Sequence, residues 1–297
     1  AQDVPALGES GDINNGLRNA PFAAATLLGG SFTARGGTEA RGLFVLGEDA
    51  MLVAQGVTAL GEDGGTSYGL GIINGSAATL LGGSFTARGG GDARGIYSSG
   101  SDTTLEAQGV TALAENGLGL DCGLLNEGGA AATLHGGSFI GRGGIDTRAI
   151  RNSGSGTTLE AENITALSES VNTTSIGLDN RDGAEATLRG GSFTGRGVAL
   201  YAYGIYNDGS NTTLEAESVI ALAENGSQGN FGLMNYSSAE ATLRGASLTG
   251  RGGITDRGIY SFNNATADVT QSVLEGETNS VHKGSGAVTV SNSRLVG

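Results

Sequence analysis

Apolar and polar residues alternate in short runs along most of the chain, and glycine closes each run. In ATLLGGSFTARGG, at 25–37, the alternation sets Leu27 inward and Leu28 outward, then Phe32 inward, Thr33 outward and Ala34 inward. A period of two is that of a strand, whereas a helix would need about 3.6 residues per turn. The segments are short and rich in Thr, Val and Ile, which fits strands and disfavours a solenoid of paired helices.

The pattern repeats. The same thirteen residues recur at 78–90, and related copies begin at Ala132, Ala186 and Ala241. A second motif lies between them: MLVAQGVTAL from Met51, TLEAQGVTAL from Thr104, TLEAENITAL from Thr158 and TLEAESVIAL from Thr213. Superposed on one template, the two motifs set a unit of about 27 residues.

This superposition predicts three apolar columns. The first runs Leu27, Leu52, Leu80, Leu105, Leu134, Leu159 and onward; the second, five residues later, runs Phe32, Val57, Phe85, Val110, Phe139, Ile164 and onward. The third contains Leu17, Leu43, Ile72, Ile96, Leu124 and Ile150. Like is expected to stack on like. The implied fold is all-β: a single-domain parallel β-helix over 13–297, with about eleven coils of three short strands at roughly 4.8 Å spacing. Residues 1–12 lack the coil pattern and are expected to form an N-terminal extension, a cap or an inter-subunit contact.

Other columns suggest roles. Two residues after the third apolar column stand Asn74, Asn126, Asn152, Asn180, Asn207 and Asn235, expected to form a structural amide ladder, with Asn19 in the first coil. Glu106, His135, Glu160, Arg189, Glu215 and Arg244 are expected to alternate in charge outside the first strand. Beside the second strand, Arg35, Leu60, Arg88 and Leu113 begin an Arg/Leu stripe. The outward neighbours of the asparagines include Phe44, Ile73, Tyr97, Leu125, Tyr206, Met234 and Tyr260, a candidate partner face or carbohydrate-stacking track. Leu295 and Val296, in the final rung, are candidates for head-to-tail self-association.

Composition narrows the function classes. With 56 Gly but only 2 Pro, the chain is not collagen, and its regularly recurring aliphatics are not those of a disordered linker. A net charge of −14 opposes nucleic acid and anionic membrane surfaces as partners, and no apolar run reaches the roughly 18–20 residues of a membrane span. Cys122 stands alone, which excludes an intramolecular disulfide and is read as a small residue before a turn. The start, AQDVPALGES, is that expected after removal of an export signal, so an extracellular or cell-surface location is expected.

Catalytic material is sparse. His135 and His282 are the only histidines, leaving little for a nucleophilic triad or a histidine metal cluster, and neither enzyme activity nor a cofactor is expected. Glu169, Asp179, Asp182 and Asp208 are the carboxylates a β-helix carbohydrate-cleaving enzyme would use, but acids on neighbouring rungs reach glycosidase separations automatically. Glu62, Asp63, Glu115, Glu169 and Glu224 are candidate calcium ligands without a known calcium motif, and solvated loop acids are the simpler reading. An Asn-x-Ser/Thr triplet begins at Asn74, Asn163, Asn172, Asn211, Asn225, Asn235 and Asn264.

The TLRGGSFTGRGG and TLEAENITAL repeats resemble those of right-handed parallel β-helix repeat proteins, the pectin-lyase-like architecture of bacterial surface adhesins and autotransporter passengers. The tail VTQSVLEGETNSVHKGSGAVTVSNSRLVG looks like the closing coils of proteins with phage-tail-fibre-like endings. The resemblance implies right-handedness and an extracellular structural or adhesive rod, with self-association. The alternatives it leaves open are a carbohydrate-binding or carbohydrate-cleaving β-helix protein and a phage-type fibre.

Overall fold

The computed structural model describes residues 3, 5–198 and 200–297. Among these, the chain winds through three parallel sheets, two of eleven strands and one of twelve, and every third strand in sequence is the neighbour in space. One coil shows the plan: Thr104–Gln108 in sheet A, Thr111–Glu115 in sheet B and Leu120–Glu127 in sheet C. Each strand pairs in parallel with the strands one coil below and above, so the fold is a parallel β-helix. The pairing starts before the boundary expected at residue 13, because Pro5–Gly8 already lies on Ser31–Ala34 of sheet B.

The interior departs from stacking like on like. Leu105 pairs with Ala78 below and Ala132 above, while Ala107 lies between Leu80 and Leu134. Leu134 in turn meets Ala161, and Leu159 meets Ala132. The expected leucine column is thus two residues out of register, and the true arrangement is a checkerboard. Sheet B repeats it: Phe85, Ala112, Phe139, Ala166 and Phe193 succeed one another in one column.

The expected partners of the phenylalanines, Val57, Val110 and Ile164, instead fill the corner between sheets A and B. There they alternate with Gly83, Gly137 and Gly191, where a Cβ would come within 2.5 Å of the neighbouring Val57, Val110 or Ile164 carbonyl. In sheets A and B the inward positions thus fill the interior at close packing by alternating large with small. Within sheets A and B, large apolar residues stack on one another only in the last coils, as in Leu248, Leu274 and Leu295.

Sheet C follows the expected column except in the third coil, where Leu70, not Ile72, lies between Leu43 and Ile96. The asparagine ladder shifts accordingly. Ile72 occupies its position between Val45 and Ser98, and Asn74 stands exposed in the following turn with φ 60°. The ladder itself comprises Asn126, Asn152, Asn180, Asn207 and Asn235, all fully buried. Each Nδ2 donates to the next Oδ1 at 2.8–2.9 Å. Each also donates across the turn to a backbone carbonyl, Asn180 to Thr213 O at 2.9 Å for example. At the open end, Asn126 Oδ1 and the Ser98 Oγ beneath it have no partner.

The shift also converts the Arg/Leu stripe into an ion-pair ladder. Arg35, Glu62, Arg88, Glu115, Arg142, Glu169 and Arg196 occupy successive rungs of sheet B. Glu115, whose side chain is 7% exposed, takes Arg88 at 2.7 Å and Arg142 at 2.6 Å. Burial pushes its carboxyl up, but the hydrogen bonds from Arg142 and Arg88 outweigh this and hold it below the ordinary range. Such a group stabilises the fold above the ordinary carboxylate range and loses that contribution as pH falls through its folded pKa. Glu115→Gln is therefore expected to cost about 1–2 kcal/mol at pH 7, with the difference shrinking below pH 4. Urea titrations of both proteins across that range measure it; a pH-independent difference would contradict the ion-pair account.

Outside sheet A the charged column is likewise displaced, to Gln108, His135, Glu162, Arg189, Glu217 and Arg244, while Glu106, Glu160 and Glu215 alternate with threonines.

Where sheets B and C converge, the interior narrows to small and polar residues: Ala93, Asp121, Thr147, Ser175, Ala202 and Asn230 in successive coils. Several close the B-to-C turn, as Asn230 Oδ1 accepts from Gly226 N at 2.7 Å and Asp121 from Gly117 N at 3.0 Å. Burial pushes the Asp121 carboxyl up to about 7, against the pull of the Gly117 and Gly144 amides. A carboxyl raised in the folded state contributes stability below its ordinary 3.8 that is lost as pH rises to about 7. Asn230 and Asn14 occupy the equivalent position elsewhere, so Asp121→Asn is expected to flatten this slope and raise the unfolding midpoint at pH 8 more than at pH 4. Equal shifts at both pH values would refute the assignment.

Candidate binding face

Four sheet C strands carry the same local signature, Arg41-Gly-Leu-Phe44, Arg94-Gly-Ile-Tyr97, Tyr203-Gly-Ile-Tyr206 and Arg257-Gly-Ile-Tyr260. The glycine bends the strand. At Gly95 a Cβ would lie 2.6 Å from the Gly123 carbonyl and 2.8 Å from the Leu113 amide of sheet B, so backbone packs on backbone there. In a flat strand, residues three apart point to opposite faces. Here they meet on the outside: Arg41 Cζ is 3.8 Å from the Phe44 ring centroid and Arg257 Cζ is 4.2 Å from that of Tyr260. The outer surface of sheet C is therefore concave and lined by two columns.

The first column reads Arg41, Tyr68, Arg94, Cys122, Arg148, Ile176, Tyr203, Phe231 and Arg257. In the second stand Phe44, Gly71, Tyr97, Leu125, Arg151, Asp179, Tyr206, Met234 and Tyr260. The structure thus brings Phe44, Tyr97, Tyr206 and Tyr260 into one track, with Gly71 where Ile73 was expected, but Phe44 and Leu125 are buried in it at 3% and 2% exposure rather than presented to a partner. Leu295 and Val296 do not join them; they end sheet B, with Leu295 54% exposed. Cys122 lies within a strand rather than before a turn, fully buried, and burial pushes its thiol up to about 12.

Rings pack along the track. Tyr203 stacks on Phe231 at 5.4 Å, Phe231 on Tyr260 at 5.7 Å, and Tyr68 lies 5.5 Å from Tyr97. Tyr68 and Phe231 are buried in these contacts, while Tyr97, Tyr203, Tyr206 and Tyr260 stay half-buried. Tyr97 Oη donates to Glu127 at 2.9 Å and Tyr206 Oη to Asp208 at 3.3 Å. Burial pushes the Tyr203 and Tyr206 hydroxyls up, so both stay protonated at any physiological pH. The second member of each pair was visible in the sequence as a neighbour of the asparagine column. The first was missed, although the recurring Arg/aromatic-Gly-Leu/Ile tetrapeptide marks it; outward placement three residues apart follows only from the bend.

Most cations here are neutralised. Asp179, fully buried, accepts from Arg148 Nε at 2.5 Å and Arg181 Nε at 2.8 Å, and Arg148 also reaches Asp146 at 2.7 Å. Arg41 pairs with Glu39 and Arg94 with Asp92. Among the described residues, Arg151 and Arg257 pair with no carboxylate, and their Nε atoms are buried without a hydrogen-bond partner, as is that of Arg94. Burial and the charge of Arg257 hold the His282 imidazole, edge-on to Tyr260 at 5.1 Å, below its ordinary range.

The candidate carboxylates are dispersed. Glu169 is paired with Arg196 at 2.7 Å in sheet B, Asp179 is enclosed by arginines, and Asp182 sits in an exposed turn at φ 59°. Among the candidate calcium ligands, Glu62, Glu115, Glu169 and Glu224 accept from arginines, while Asp63 lies in an exposed turn. The four glutamates are ladder members rather than the solvated loop acids expected, and Asp63 alone is such a loop acid. A shallow hollow of about 280 Å³ outside sheet A is bordered by Thr187, Arg189, Glu215, Glu217 and Arg244. No helix among the described residues is long and apolar enough to cross a membrane.

No family model matches the chain. No curated protein matches it in sequence. Among solved structures it is similar to the crystal structure of a TibC-catalysed hyper-glycosylated TibA55-350 fragment, at 16% identity and a TM-score of 0.31, covering 99% of this chain and 98% of that one. At that TM-score the likeness carries no argument; the β-helix rests on the strand pairing itself.

Proposed function

We propose that this protein is an extracellular structural and adhesive rod, without enzymatic activity, that holds its concave sheet C surface out for contact. The observation supporting this is the unbroken parallel pairing of three sheets from Pro5 to Val296. Rungs at about 4.8 Å build a stiff body on the order of 50 Å long from one repeated unit, a geometry suited to spacing and display. Anchored on a non-adherent cell, the intact rod is expected to confer attachment or cell–cell aggregation. Display at normal density without either property would sink the reading.

Head-to-tail assembly into a filament is its finer form. Rungs of uniform spacing present strand edges that complement one another, the chemistry of strand addition. Sedimentation at rising concentration tests it: growing oligomers support the filament, and a constant monomer removes it. A discrete trimer would favour a phage-type fibre. Release of reducing ends from polysaccharides would overturn the non-enzymatic part.

A further inference from the structure

The chain carries 30 acidic and 16 basic residues, yet six arginines stand in the two sheet C columns once Arg18, below Phe44, is added to Arg41, Arg94, Arg148, Arg151 and Arg257, against one acid, Asp179. Glu39, Asp92 and Asp146, beside the columns, neutralise Arg41, Arg94 and Arg148, so the uncommitted positive charge lies with the remaining arginines. Three of the six have no carboxylate partner: Arg18, exposed in the first coil, and Arg151 and Arg257, half-buried and each with a buried Nε that lacks a hydrogen-bond partner. Their terminal nitrogens carry no hydrogen bond within the chain and remain accessible, so an incoming anion can take a charge-assisted hydrogen bond from each.

Deepening the adhesive-rod reading and resting on it, we propose that the concave outer face of sheet C binds an anionic polysaccharide laid along the rod axis. Its acidic groups meet Arg151 and Arg257, and its sugar rings pass over the tyrosine edges and hydroxyls between them. Arg151 and Arg257 are four rungs apart, roughly 19 Å at 4.8 Å per rung, so one small anion cannot reach both whereas a polymer can. Tyr203, Tyr206 and Tyr260 line that interval with apolar edges and hydroxyls, groups suited to sugar C–H and O–H groups. A nucleic acid is disfavoured because its charge density, one phosphate per about 1.7 Å of duplex axis, meets the repulsion of the acidic remainder. Acids borne one per sugar or fewer suit the two separated cations.

The test uses the full chain, with polyguluronate, dextran sulfate, neutral dextran and polyglutamate as probes in affinity electrophoresis and titration calorimetry. Binding to polyguluronate, dextran sulfate or both, weakened by added salt and absent for neutral dextran, is expected. Arg151→Gln and Arg257→Gln should each weaken it by about tenfold, whereas Arg189→Gln, an exposed arginine of sheet A, should leave it unchanged. Circular dichroism verifies that each variant is folded, and Arg257→Lys, which keeps the charge, should restore part of the affinity. Three results would overturn the proposal: no binding to either acidic polysaccharide, equal or tighter binding to polyglutamate, or folded Arg151 and Arg257 variants of undiminished affinity. None of these touches the rod reading, which the display experiment decides separately.

Discussion

Phe139→Ala is expected to lower stability by about 3–5 kcal/mol, as would truncation of Phe85 or Phe193 in the same column. Phe139 is fully buried and lies between Ala112 and Ala166, so neither neighbouring rung carries a side chain long enough to fill the space. Collapse is further limited because the backbone above and below is locked in parallel pairing. Chemical denaturation followed by circular dichroism gives the size of the loss. Hydrogen exchange should place it in the coils around residue 139, since a solenoid yields locally before it yields as a whole. Had phenylalanine stacked on valine, as the superposed motifs suggested, the gap would be partly filled and the cost smaller. An effect under about 1 kcal/mol would therefore restore the uniform stack and contradict the checkerboard.

Asn180→Ala is expected to cost about 2–4 kcal/mol, more than the loss of one hydrogen bond. Asn180 is the middle of five buried amides: its Oδ1 accepts from Asn152 Nδ2, and its Nδ2 donates to Asn207 Oδ1 and to Thr213 O. The substitution thus leaves one donor and two acceptors short in a dry interior. Replacing all five asparagines together by valine is expected to cost less than five times the single change, because Val45 and Ile72 already fill the same column without amides. Denaturation midpoints of the single and fivefold variants decide this, and strict additivity would show that the amides act independently.

These two expectations mark what could be read in the chain beforehand. The alternation in ATLLGGSFTARGG announced strands, and the recurrence of its threonine announced coils. Which residues face inward was also legible, because facing depends only on even or odd position. The ladder from Asn126 to Asn235 followed from its own column. Asn74 was misplaced because GLGIIN offers two inward aliphatics two residues apart, Leu70 and Ile72, and parity cannot choose between them. The same ambiguity displaced the first column and hid the ladder of Arg88, Glu115 and Arg142 behind an Arg/Leu stripe.

The binding face was half legible. Tyr97, Tyr206 and Tyr260 belong to a column that alternation sends outward. Arg94, Tyr203 and Arg257 stand three residues earlier, and a flat strand would turn them to the opposite side. They come to the same surface because Gly95, Gly204 and Gly258 press their backbones against sheet B, where a Cβ would lie under 3 Å from its atoms.

By itself, then, the sequence determined the strand period, the coil length and the inward or outward sense of most positions, since these depend on local alternation and its recurrence. Tertiary structure alone decided the register between coils. A shift of two residues preserves every facing, so only the volume available between stacked rungs selects leucine against alanine and phenylalanine against alanine. That same choice sets glutamate against arginine outside, and the glycine bend it accommodates joins two columns into one concave face.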